Sequence, residues 1–135
     1  MPKFIPKMTD QKEAIEKLSC AGVPVIERAY GFRVTLPPIE GEENSFIECG
    51  TEHDGSISLS MPNPKTRRTE WFFRFDFIEA SQLVIESFSV LDAGYSALEF
   101  VESMKSVDEQ YDHKALEKRL EQQELDFQEY LKESS

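Results

Sequence analysis

The feature that most constrains the fold is the run from Glu70 to Ile78, in which Trp71, Phe73, Phe75 and Phe77 occupy every second position. Residues two apart share one face of a strand, so the run reads as a strand whose aromatic row packs on a helix or a second sheet. Its other face carries Phe72, Arg74, Asp76 and Ile78.

Other segments show the same period. Tyr30, Phe32, Val34 and Leu36 alternate with Gly31, Arg33 and Thr35 until Pro37 and Pro38 end the strand. A short strand around Phe46 to Glu52 precedes Asp54-Gly55, the strongest hairpin signal in the chain. Ile57, Leu59 and Met61 form the returning strand. Pro62 and Pro64 bound a second turn holding Lys65, Arg67 and Arg68, and a last strand is expected over about Leu83 to Leu91.

Helical patterns occupy the two ends. Asp10 followed by Glu13 matches a capping box for a helix through Ala14, Ile15 and Leu18. That helix should stop at Gly22, where positive φ is wanted, with Pro24 preventing continuation. Asp92 or Ser96 caps a helix with Leu98, Val101 and Met104 inward, and Ser106 with Glu109 opens a final helix to about residue 132, roughly 40 Å long. Its apolar residues Leu116, Leu120, Phe127 and Leu131 make a narrow stripe that needs something to lie against: its own domain, a second copy or another protein.

The expected fold is therefore α+β: an N-terminal helix, an antiparallel meander of about five strands, and two C-terminal helices packing on the sheet or on a partner. At 135 residues one domain is expected, with a body over residues 1–106 and an acidic C-terminal helix over 107–135 as part of it. With 39% hydrophobic and 11% aromatic residues the body should fold unaided. The amino terminus lacks the apolar core of a signal peptide, and no segment approaches the roughly 20 apolar residues that cross a bilayer, so a soluble, cytoplasmic protein is expected. Cys20 and Cys49 give no disulfide framework and read as free buried thiols.

Charge narrows the class of partner. The chain has 26 Asp and Glu against 15 Lys and Arg, a net charge of −11. It is distributed as +2 over residues 1–39, −7 over 40–94 and −6 over 95–135. Such a chain repels nucleic acid and anionic lipid and attracts basic proteins, so no direct nucleic-acid or membrane binding is expected. Like charges recur four apart in the final helix, at Asp108 and Asp112, Glu117 and Glu121, and Glu129 and Glu133. Each pair destabilises an isolated helix, which is easier to understand if cations of a partner sit opposite. The plainer account is a solvated face partly relieved by Lys114, Lys118, Arg119 and Lys132, with the acidity serving solubility.

Chemistry-bearing patterns are sparse. The chain has no phosphate-binding G-x-x-x-x-G-K-[ST] loop, G-x-G-x-x-G turn or G-x-S-x-G elbow. His53 beside the hairpin turn reads as an exposed residue with an untuned pKa rather than a base. His113 follows Glu109 by one turn, and Cys49 and His53 are four apart, but the paired short spacings of a zinc module are missing, so neither metal nor cofactor is expected. Arg74 and Asp76 share a strand face that Glu86 joins on the following strand, a trio that binds a small polar ligand or forms an internal ion pair. Lys65 to Arg68 beside Trp71 has the mixture of cations and an aromatic that nucleic acid favours, but three cations are a poor footprint against −11.

These features favour a non-enzymatic protein-binding protein. In the leading expectation it is an inhibitor that covers a basic, nucleic-acid-binding surface of a partner, presenting carboxylates where phosphates would lie. Glu40, Glu42 and Glu43 of an acidic loop and Glu117, Glu121, Glu124 and Glu129 of the final helix would make the contact. Phage-encoded anti-defence proteins and toxin-immunity proteins share this composition, and only this composition. The alternative is a chaperone-like or adaptor module, monomer or homodimer, that holds a partner segment with its aromatic sheet and terminal helix. An enzyme using Arg74, Asp76 and Glu86, or His53, is the third class.

Overall fold

In a computed structural model the chain is described over residues 8–37, 45–52 and 55–134. Helix α1 spans Met8–Cys20 and ends at Gly22, whose φ of +83° is the left-handed conformation that terminates helices. Five strands follow: β1 (Val25–Arg28), β2 (Gly31–Thr35), β3 (Phe46–Thr51), β4 (Ile57–Pro62) and β5 (Thr69–Arg74). They pair antiparallel in the order β1-β2-β3-β4-β5, an uncrossed meander. Three helices then close the domain: α2 (Phe77–Ser89), α3 (Ala97–Glu109) and α4 (His113–Ser134). The architecture is the expected α+β one, with α2 as an additional helix.

Alternation sets the register, and one face of every inner strand is apolar. Phe32 and Val34 on β2, Ile47 and Cys49 on β3, Ile57, Leu59 and Met61 on β4, and Phe72 on β5 all point to one side. α1 packs on β1, β2 and α2, while α2 packs on β4, β5 and α3. Ala14, Leu18, Phe77, Ala80, Leu83, Val84, Phe100, Val101 and Met104 complete the buried cluster. Gln11 is buried in it, and its Nε2 donates to the carbonyls of Arg28 and Gly31 at 2.6 and 2.7 Å, tying α1 to the β1–β2 turn.

Four expectations need correction. The strand expected at Leu83 to Leu91 is helix α2, because Phe77, Ala80, Leu83, Val84 and Ser87 are buried at helical spacing. Asp76 caps it, accepting from the Glu79 backbone N–H at 2.9 Å. The strand expected to reach Ile78 therefore ends at Arg74, and its faces are reversed: Phe72 and Arg74 are buried, while Trp71 and Phe73 face out. β1 takes the place of the misassigned strand, which is why the sheet still has five. Lastly, Ser106 and Glu109 lie inside α3, which the capping box of Ser96 and Glu99 opens; α4 starts later, with Asp112 accepting from the Ala115 N–H at 3.0 Å.

Candidate functional site

Arg74 stands at the end of β5, facing the helices, with only 3% of its surface exposed. Its Nη1 donates to the Asp108 carboxylate on α3 and to the Phe73 carbonyl, both at 2.7 Å. The guanidinium carbon lies 3.7 Å from the centre of the Tyr111 ring. The Tyr111 hydroxyl donates to Glu79 Oε1 at 3.0 Å, Arg119 on α4 donates to Glu79 Oε2 at 2.8 Å, and Arg119 covers the Phe75 ring at 3.9 Å. β5, α2, the α3–α4 junction and α4 thus meet at one polar knot.

Its electrostatics follow from those contacts. Burial alone would raise the Glu79 carboxyl, but the Phe75 N–H, Arg119 and Tyr111 all favour the carboxylate and hold it below its usual range. Burial and the hydrogen bond to Glu79 push the Tyr111 hydroxyl up to about 12. Each group is hydrogen-bonded to another, so the knot ties α3 to the end of β5 and α4 to α2.

Of the polar trio expected from sequence, Arg74 is the hub, Asp76 is the α2 cap, and Glu86 lies one turn after Gln82, which donates to it at 3.0 Å. Arg74 and Glu86 do line one shallow depression of about 360 Å³ beside the knot, on a helix and a strand end rather than on two strands. Glu79, Asp108, Tyr111 and Arg119 were not foreseen; they lie 32 to 40 residues from their partners, and no local spacing announces them. The D-x-x-E pattern from Asp76 to Glu79 was the available signal for α2.

The acidic residues divide. Glu117, Glu121, Glu124 and Glu129 are all exposed on α4, which is roughly 33 Å long. The first three follow at spacings of four and three and form one stripe, with Glu129 roughly 110° around the helix. None of the four makes an ion pair among the described residues. Leu116 is buried and Leu120 and Phe127 half-buried, as the stripe required, but Leu131 is exposed. Glu40, Glu42, Glu43 and His53 lie outside the described residues. His113 Nε2 contacts the Asp108 carbonyl at 3.1 Å, and no three His, Cys, Asp or Glu side chains converge as a metal set among the described residues. Both cysteines are free, but only Cys49 is buried as expected, and burial pushes its thiol up; Cys20, the last residue of α1, is exposed. No helix of the described residues is long and apolar enough to cross a membrane.

No described helix packs on the sheet's second face. The register aligns Ile26, Arg33, Glu48, Ser60 and Trp71 across it, and Arg28, Gly31, Gly50, Ser58 and Phe73 in the next row. Trp71 is 54% and Phe73 41% exposed, and their rings stack at 6.5 Å with 12° between planes. Tyr30 is 75% exposed in the β1–β2 turn, and Arg33 pairs with Glu48 and covers the Phe46 ring at 4.5 Å. A hollow of about 420 Å³ lies over Gly31, Gly50 and Ser58, edged by Tyr30 and Trp71. No protein-family model matches the chain, and no curated protein or solved structure matches it.

Proposed function

We propose that this chain acts by binding another protein rather than by catalysis, and that a segment of the partner seats on the open face of the sheet. The observation that carries this reading is the stacked Trp71 and Phe73 pair, held exposed on a sheet face that no described helix covers. Aromatic rings dominate binding energy where they are buried at interfaces, and an exposed cluster on a monomer marks an interaction surface. The polar knot supports a binding role, since its groups are spent on holding α3 and α4 in place. This is the chaperone-like or adaptor reading, with the chain's charge of −11 selecting a basic partner.

A second reading keeps the inhibitor role, in which the acidic helix covers a nucleic-acid-binding surface. The stripe of Glu117, Glu121 and Glu124, exposed and free of ion pairs among the described residues, favours it. The two readings separate in a pull-down from source-cell lysate washed at low and high salt. Sheet-face binding predicts a partner that survives high salt and is lost with Trp71→Ala/Phe73→Ala. Charge mimicry predicts a basic nucleic-acid-binding partner lost at high salt and lost with Glu117→Lys/Glu121→Lys/Glu124→Lys. A partner retained by both variants would remove both surfaces from the account.

A further inference from the structure

We propose that the hollow on the open sheet face seats an arginine-bearing extended segment of a basic partner protein, with the guanidinium over the Trp71 ring. The inference rests on the sheet face being the binding surface, and adds the chemistry of what binds there.

The floor of the hollow, a furrow across the sheet, lacks side chains for two different reasons: at Gly31 a Cβ would strike the Cys49 carbonyl of β3, so the close strand approach demands glycine, whereas Gly50 faces open space. Gly31 and Gly50 are direct partners across β2 and β3, and Ser58 continues their row toward Phe73. A Cβ built on Gly50 would meet nothing nearer than the Tyr30 carbonyl at 3.9 Å, so packing does not demand a glycine there. The row crosses the sheet from β1 to β5, four inter-strand steps or roughly 19 Å, a distance that about six extended residues span. Tyr30 edges it at the β1 side and Trp71 at the β5 side.

Among the described residues the chain covers aromatic rings with arginine three times: Arg33 on Phe46, Arg74 on Tyr111 and Arg119 on Phe75. Trp71, the strongest platform for a cation, has among the described residues only Phe73 stacked on it. Glu52 lines the same hollow without an ion pair among the described residues, whereas Glu48 is already taken by Arg33. Arg28 stands at the β1 end of the furrow, so the occupant's cation belongs at the Trp71 end and its carbonyl oxygens face Arg28. A second copy of the chain is disfavoured as occupant, because two bodies of −11 repel each other, and nucleic acid is disfavoured for the same reason.

Trp71 is the chain's single tryptophan, so it reports on its own occupancy. The full chain is titrated at low ionic strength with blocked hexapeptides that lack aromatic residues, their central arginine exchanged for citrulline or leucine. The expected result is a saturable change in Trp71 emission with the arginine peptide and binding about tenfold weaker with citrulline, which keeps the shape and loses the charge. Gly50→Leu, which fills the furrow, should abolish the response; Ser60→Leu, on the adjoining row, is a second blocking variant should the first fail to fold. Equal binding of the three peptides would overturn the arginine assignment while leaving the sheet face as the binding surface. No saturable change, or one that persists in both folded variants, would overturn the hollow as the site.

Discussion

Arg74 and Asp108, 34 residues apart, share a 2.7 Å hydrogen bond that joins the end of the edge strand to the last turn of α3. The same Arg74 nitrogen holds the Phe73 carbonyl, so the residue that anchors α3 also fixes the backbone beneath an exposed ring. Fold stability and presentation of the open face are coupled through this side chain.

Arg74→Leu should destabilise the domain by about 3 kcal/mol, since it strands a partly buried carboxylate and a carbonyl acceptor. Urea denaturation measures it. A loss below about 1 kcal/mol would mean that Asp108 finds water easily and the knot is a surface feature.

Glu79 sets an acid limb. Its folded pKa is depressed, so its contribution is fully present above the unfolded value of about 4.3 and is lost as pH falls through the folded value. The acid denaturation curve of Glu79→Gln should therefore be flatter than that of the parent below about pH 4.3. Parallel acid limbs would remove Glu79 from the linkage.

Tyr111 sets an alkaline limb of opposite sign. Its hydroxyl is raised from 10 to about 12, so the neutral form is favoured in the fold, and that contribution is lost as pH rises between those values. Tyr111→Phe should lose stability less steeply across this window, as followed by thermal melts. An unchanged slope would contradict the hydrogen bond to Glu79.

Phe72→Ala should cost about 3 to 5 kcal/mol because Phe72 lies in the core, whereas Phe73→Ala should cost under about 1 kcal/mol because its ring faces solvent. Chemical denaturation of the two variants compares them directly. The reverse order would mean that the faces of β5 are exchanged.

Much of the fold was legible where one physical signal stood alone. Phe32, Val34 and Leu36, and Ile57, Leu59 and Met61, alternate with polar or small residues and are buried as the alternation requires, although Tyr30, read in the first row, lies exposed in the β1–β2 turn. Gly22 ends α1, and Ser96, one of the two caps read with Asp92, opens α3. β1 was missed because it is a short edge strand whose residues are barely buried, which leaves no alternation to read. α2 was read as a strand because Phe77, Ile78, Val84, Ile85 and Phe88 favour strands locally, while the helical spacing of the buried set and its cap at Asp76 decide otherwise. The aromatic row misled for a related reason: alternation shows that two faces differ, but not which of them the helices cover. Arg74 was picked out from sequence, yet its partners Asp108 and Tyr111 come from α3 and the α3–α4 junction, and only the tertiary fold names them.

The most direct test of the open face as the binding surface uses the single tryptophan. The chain is labelled with 5-fluorotryptophan, and its one fluorine resonance, at Trp71, is followed by NMR as the partner recovered from lysate is added. The account predicts that the resonance shifts and loses its solvent-isotope effect as the complex forms, because the ring leaves water. A complex that forms while the Trp71 resonance stays unchanged and solvent-exposed would contradict it.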